Sequence, residues 1–99
     1  MVIIALGLYP TESAEEMSKR FLKQPPLPAG ITVKGPYFNN EVGKGSMFIS
    51  IYEFDQSKFA EAQEAIGTRF ARYFGVPGFT FSANPWADAK EALKMMGKG

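Results

Sequence analysis

Residues 2–9 form a nearly unbroken apolar run, the pattern of a strand covered on both faces. Pro10-Thr11-Glu12 ends it. Ser13 and Glu16 have the spacing of a capping box, in which each side chain satisfies a free amide at a helix start. Ala14, Met17, Phe21 and Leu22 then recur at helical spacing, predicting a first helix to about Lys23. The prolines in 24–30 lack amide hydrogens and hold the chain extended. Residues 31–38 are predicted as a second strand, and Pro36 within it points to a sheet edge, where a missing donor costs least. A turn-rich stretch over 39–45 leads to strict alternation in 46–54, a third strand. Asp55 is placed to cap a second helix. Its buried stripe is Phe59, Ala62, Ile66, Phe70 and Tyr73 or Phe74, and Gly75 with Pro77 ends it. Alternation returns in 79–82. Asn84-Pro85 then reads as the N-cap and first position of a third helix over about 85–96, with Ala89, Ala92, Leu93 and Met96 on one side.

The order is βαββαβ plus a C-terminal helix, expected to be one ferredoxin-like α+β domain over residues 1–99. Right-handed crossovers give an antiparallel sheet of order 4-1-3-2 with both main helices on one face. That topology puts the second strand at an edge, where Pro36 independently belongs.

Two helices leave the other face of a four-stranded sheet bare. If the aliphatic side chains of Met47, Ile49 and Ile51 meet the helices, Phe48, Ser50 and Tyr52 point away. On the same reasoning Val2, Ile4, Leu6 and Leu8 point in, leaving Ile3, Ala5, Gly7 and Tyr9 outward. In the fourth strand Thr80 and Ser82 are expected outward, with Phe79 and Phe81 inside. A one-residue slip would exchange the two sets. An open face this apolar exceeds what a monomer usually exposes, and burying about 600–800 Å² of it per subunit would make a standard interface. A symmetric homodimer is the simplest partner. The expected interface residues are Ile3, Ala5, Phe48, Ser50, Tyr52 and Trp86, so a charge at Phe48 is expected to break the dimer. The third helix is expected to reinforce that dimer or cover a sheet edge.

Composition narrows the chemistry. With 45% hydrophobic and 21% charged residues the chain is globular rather than disordered. The nine phenylalanines need burial, in the core or against a partner. A net charge of +1 gives no field to steer a polyanion. No Cys means no disulfide or thiolate site, and no His removes the commonest metal ligand and acid–base group. No metal and no cofactor is therefore expected. The apolar start lacks a basic leader and is far too short to span a membrane, so no membrane partner and a cytoplasmic location are expected.

The strand order and pattern, together with Lys44-Gly45-Ser46-Met47-Phe48-Ile49-Ser50-Ile51-Tyr52-Glu53-Phe54-Asp55 and Val76-Pro77-Gly78-Phe79, resemble the dimeric α+β barrel group of ferredoxin-like proteins. The resemblance implies two sheets packed face to face, in some members enclosing a small-ligand cavity. It also brings in cofactor-independent monooxygenases and lactone isomerases. The central His of related stress-induced barrels has no counterpart here.

Other patterns compete. The stretch 44–51 partly matches the third strand of RNA-recognition domains through Lys44, Gly45 and Phe48, but Ser46 and Ile51 stand where stacking aromatics belong. Gly43-Lys44-Gly45-Ser46 lacks the earlier glycine and following helix of a phosphate loop. Pro25-Pro26-Leu27-Pro28 needs no role beyond a rigid connector. Arg69 and Arg72, near Glu61 and Glu64, read as an ordinary solvated helix face.

The sequence thus supports a homodimer that is non-catalytic or holds a small apolar molecule between its sheets. The residues expected to line or rim that cavity are Tyr9, Lys34, Phe48, Tyr52, Glu53, Ser82 and Asn84. The alternative is a cofactor-independent monooxygenase- or isomerase-like enzyme acting on a small aromatic or lactone compound, with a Tyr or Glu as acid or base. An RNA-binding domain is the third reading, disfavoured by charge, so no nucleic-acid partner is expected.

Overall fold

A computed structural model describes residues 1–98. It is an α+β domain whose elements run β1 (Val2–Tyr9), α1 (Ala14–Phe21), β2 (Thr32–Glu41), β3 (Gly45–Glu53), α2 (Phe59–Ala71), β4 (Thr80–Trp86) and α3 (Ala89–Met95). One antiparallel sheet of order β2-β3-β1-β4 holds all four strands, which is 4-1-3-2 counted from the other edge. The arrangement is compatible with a ferredoxin-like domain. Pro36 lies in edge strand β2, where the register to β3 shifts between Lys34 and Tyr37, as the missing amide requires. None of the helices is long and apolar enough to cross a membrane among the described residues.

Local chemistry differs from expectation at the helix starts. Ser13 makes no side-chain cap to α1. Its hydroxyl instead donates to the Pro77 carbonyl at 2.6 Å, tying the start of α1 to the α2–β4 loop. The third helix does not begin at Asn84-Pro85: β4 runs on through both to Trp86, and α3 starts after an Asp88–Glu91 capping box. Proline is tolerated there because β4 is a sheet edge. Asp55 caps the 3-10 turn Gln56–Lys58 that leads into α2, accepting from the Ser57 amide, while α2 itself starts after Lys58 with no side-chain cap. Replacing Asp88 with Ala should cost α3 about 1 kcal/mol, read as faster amide exchange over residues 89–95 with the sheet amides unchanged.

In β1 and β3 the two faces are exchanged relative to the expected parity, whereas in β4 Thr80 and Ser82 lie on the open face and Phe81 stacks on Phe70 of α2, as expected. Ile3, Ala5 and Tyr9 of β1 and Phe48, Ser50 and Tyr52 of β3 are buried within the single chain, beneath the helices. Five of the six expected interface residues are therefore core, and only Trp86, at 58% exposure, remains accessible. The cause is volume. Phe48 stands opposite Gly7, and a Cβ on Gly7 would lie 2.2 Å from the Phe48 ring. The small residues Ala5 and Gly7 make room on that side of β1 for rings from elsewhere. Phe48 packs with Tyr9, Phe38, Phe70, Tyr73 and Phe79 at centroid distances of 6.1–6.5 Å, a range in which aromatic pairs attract.

The aliphatic set faces away. Ile4, Leu6 and Leu8 pair across the strands with Ile51, Ile49 and Met47, and none of these is fully buried. Around them lie Lys34, Tyr37 and Asn39 on one side and Thr80, Ser82, Asn84 and Trp86 on the other.

Candidate functional site

The helix-covered face contains a cavity of about 390 Å³. Its floor is Tyr9, Phe48, Ser50 and Tyr52 of the central strands, and its side wall is Val33, Gly35, Pro36 and Phe38 of β2. The roof comes from the end of α1, with Met17, Ser18, Phe21, Leu22 and the following Gln24, and from the end of α2, with Arg69, Phe70 and Tyr73. The cavity exists because α1 is only eight residues long and the proline-rich connector carries the chain away before the edge strand is covered. Phe38 is accordingly 63% exposed although it faces the helix side.

Polar links hold the roof. Arg20 Nη1 donates to the Phe74 and Arg72 carbonyls at 2.6 and 3.2 Å, satisfying the free carbonyl end of α2. Gln24 Nε2 donates to the Arg69 carbonyl at 2.7 Å, and Arg69 Nη1 donates to the Pro25 carbonyl at 2.9 Å. Because a carbonyl can only accept, the first of these fixes the Gln24 amide orientation. Gln24 Oε1 is left buried with no hydrogen-bond partner among the described residues. Arg69, read from the sequence as a solvated helix charge, is half-buried here.

Burial pushes the Tyr73 hydroxyl above the ordinary tyrosine range, opposed by Gln24 and by the Arg69 charge beside it. Tyr73 is therefore a neutral hydrogen-bond donor at physiological pH. The sign follows for stability: a group whose folded pKa is raised stabilises fully below its unfolded value, near pH 10, and that contribution is lost as pH rises through the folded value. In an absorbance titration of the four tyrosines, one should ionise late, and Tyr73→Phe should remove that phase.

The expected cavity residues fall on opposite sides of the sheet. Tyr9, Phe48 and Tyr52 line the cavity. Lys34, Glu53, Ser82 and Asn84 lie on the open face, at register with Ile51, Val2, Leu6 and Ile4. Lys34 Nζ and Glu53 Oε1 pair there at 3.0 Å, and that bond raises the Lys34 pKa. Gln24, Arg69 and Tyr73 were not singled out for the site by sequence. Their convergence depends on the connector at 24–28 folding onto the end of α2, a contact between residues more than forty positions apart. Phe48, the aromatic that suggested base stacking, is only 8% exposed beneath the helices and offers no platform on the open face.

No protein-family model matches this chain, and neither the curated proteins nor the solved structures contain a match.

Proposed function

We propose that this chain is a ferredoxin-like domain that holds a small apolar molecule in the cavity between its sheet and helices, and pairs with a second copy as a dimeric α+β barrel. The observation that carries the binding reading is the cavity itself: a 390 Å³ space walled by aromatic rings, with a few polar groups at one end. That combination of apolar body and sparse polar contacts is what small-molecule sites share. Its volume lies within the usual range for such sites, about 300–1,000 Å³. Burial moves the ionisation of the Tyr73 hydroxyl away from neutrality, which suits a hydrogen-bond donor to a held molecule better than a general base.

Pairing is supported by the open face. An aliphatic centre of Ile4, Leu6, Ile49 and Ile51 rimmed by polar residues has the anatomy of a protein interface. Beyond it, α3 carries Leu93 and Met96 at 46% and 66% exposure. A seven-residue helix is not stable by itself in water. The radius of gyration, 15.1 Å, also exceeds the roughly 13 Å of a compact chain this long. Glu91 ties α3 to the Met1 amino group at 2.8 Å, and the exposed Leu93 and Met96 are what a partner would cover.

The test is a native mass spectrum with 1-naphthalenemethanol, a neutral probe. Wild type should take up one molecule per chain. Ser50→Leu, which projects a larger side chain from the floor into the space, should stay folded and take up none. A wild type that binds nothing, or a Ser50→Leu variant that binds as well, would contradict the cavity reading.

A further inference from the structure

We propose that the cavity selects an organic anion, a planar apolar body bearing a carboxylate, with the negative group seated on Arg69 and Tyr73 at the α2 end. The inference rests on the ligand-holding reading and adds the ligand's charge and orientation.

Arg69 is the sole charged residue lining the cavity; no Asp, Glu or Lys accompanies it among the described residues. Lys19, Arg20, Lys34, Lys44 and Lys58 each pair with a carboxylate, whereas Arg69, like Lys23, Arg72, Lys90 and Lys94, forms no ion pair among the described residues, and of these Arg69 alone lines the cavity. Its one side-chain hydrogen bond, from Nη1 to the Pro25 carbonyl, uses one of five guanidinium N–H donors. Glu61 and Glu64 share a second groove with Arg69 without forming an ion pair to it among the described residues, so an anion in the cavity can supply a closer counter-charge.

The surroundings turn this charge into a binding determinant. Gln24 grips the Arg69 carbonyl at 2.7 Å, so the base of the side chain is held to the connector while the guanidinium is held to Pro25. The Arg69 charge acts on the Tyr73 hydroxyl, and burial keeps that hydroxyl protonated. A carboxylate at this end meets a guanidinium fork and a neutral phenol donor together, and charge-assisted bonds of this kind are the strong ones. Phe48 and Phe70, near-parallel at 9°, supply flat walls for the rest of the molecule and keep the local dielectric low, which strengthens the pair.

The experiment is calorimetric titration of the full-length chain with 1-naphthoate and, separately, with the neutral analogue 1-naphthalenemethanol. Wild type should bind the acid about tenfold or more tightly than the alcohol, the ratio expected when one charge-assisted hydrogen bond is added. Arg69→Gln should abolish that preference, the acid then binding no more tightly than the alcohol to the same variant. Tyr73→Phe, which leaves Arg69 in place, should narrow the preference by several-fold and provides the answer if Arg69→Gln does not fold. Equal affinities in wild type would overturn the anion assignment and leave the cavity reading standing. A preference for the acid that survives in Arg69→Gln would overturn it too, placing the responsible charge elsewhere. Binding of neither compound would remove the cavity reading and this inference with it.

Discussion

Phe48→Ala is expected to cost about 3–5 kcal/mol of folding stability, the range for truncating a large buried aromatic. Phe48 is 8% exposed and lies at the centre of a ring cluster drawn from β1, β2, α2 and the loop before β4. Removing it takes a wall from an existing cavity, so the surroundings have little to collapse onto. At about 4–8 °C per kcal/mol for a domain this size, the midpoint of thermal unfolding should fall by at least roughly 12 °C. Because small domains are marginally stable, a fraction of the molecules should be unfolded at 37 °C. Gly7→Ala should act on the same ring from below, since the added methyl would lie 2.2 Å from it. Phe48 itself is thus a core position, and a charge there should unfold the domain rather than merely separate a pair of folded copies. Thermal unfolding by circular dichroism checks both variants. A Phe48→Ala protein that melts within a few degrees of wild type would mean the ring faces solvent or a partner.

Ile49→Lys is expected to have the largest effect on assembly. Ile49 sits in the middle of the open face, between Leu6 on β1 and Tyr37 on β2, and is not buried in the single chain. A lysine there can reach water in the monomer, so the fold should survive. In a symmetric dimer the same substitution puts two like charges into the apolar centre of one interface, each several kcal/mol unfavourable once desolvated. The apparent dissociation constant should rise by at least about a hundredfold. Light scattering at micromolar concentration should give a dimer for wild type and a monomer for the variant. Two dimers, or a wild type that is already monomeric, would remove the pairing proposal.

Much of the architecture was legible in the sequence. The order of strands and helices followed from period-two and period-3.6 patterns, Asp55 marked the start before α2, and Pro36 marked an edge. Which face of the sheet the helices cover was not legible from alternation, because both faces of β1 and β3 are apolar. Ile3 alternates with Ile4, and Phe48 with Ile49, so hydrophobicity gives no preference. The usable signal was size: Ala5 and Gly7 on one side of β1 leave a depression that only large rings fill, and phenylalanines on α2 and before β4 supply them. Reading the aliphatic side as core overlooked that complement.

The site was harder to read for a related reason. Tyr9, Phe48 and Tyr52 were recognised as cavity residues, but assigning the cavity to the space between two sheets joined them with Lys34, Glu53, Ser82 and Asn84 from the far side. Arg69 resembled its exposed neighbour Arg72 because nothing local distinguishes them. Its partial burial comes from the connector prolines, whose rigidity looked sufficient to explain their presence. The helix start at Asp88 went unread because Asn84-Pro85 offered an equally good cap, and only the pairing of β4 with β1 overrides it.

The most direct test of the central claim, that the ligand lies between sheet and helices, is a set of intermolecular nuclear Overhauser effects from bound 1-naphthoate. Naphthyl protons should show contacts to the ring protons of Tyr9, Tyr52 and Tyr73, with none to the methyl groups of Leu6 and Ile49. Contacts to Leu6 and Ile49 instead would place the ligand on the open face, between two sheets, and contradict the account.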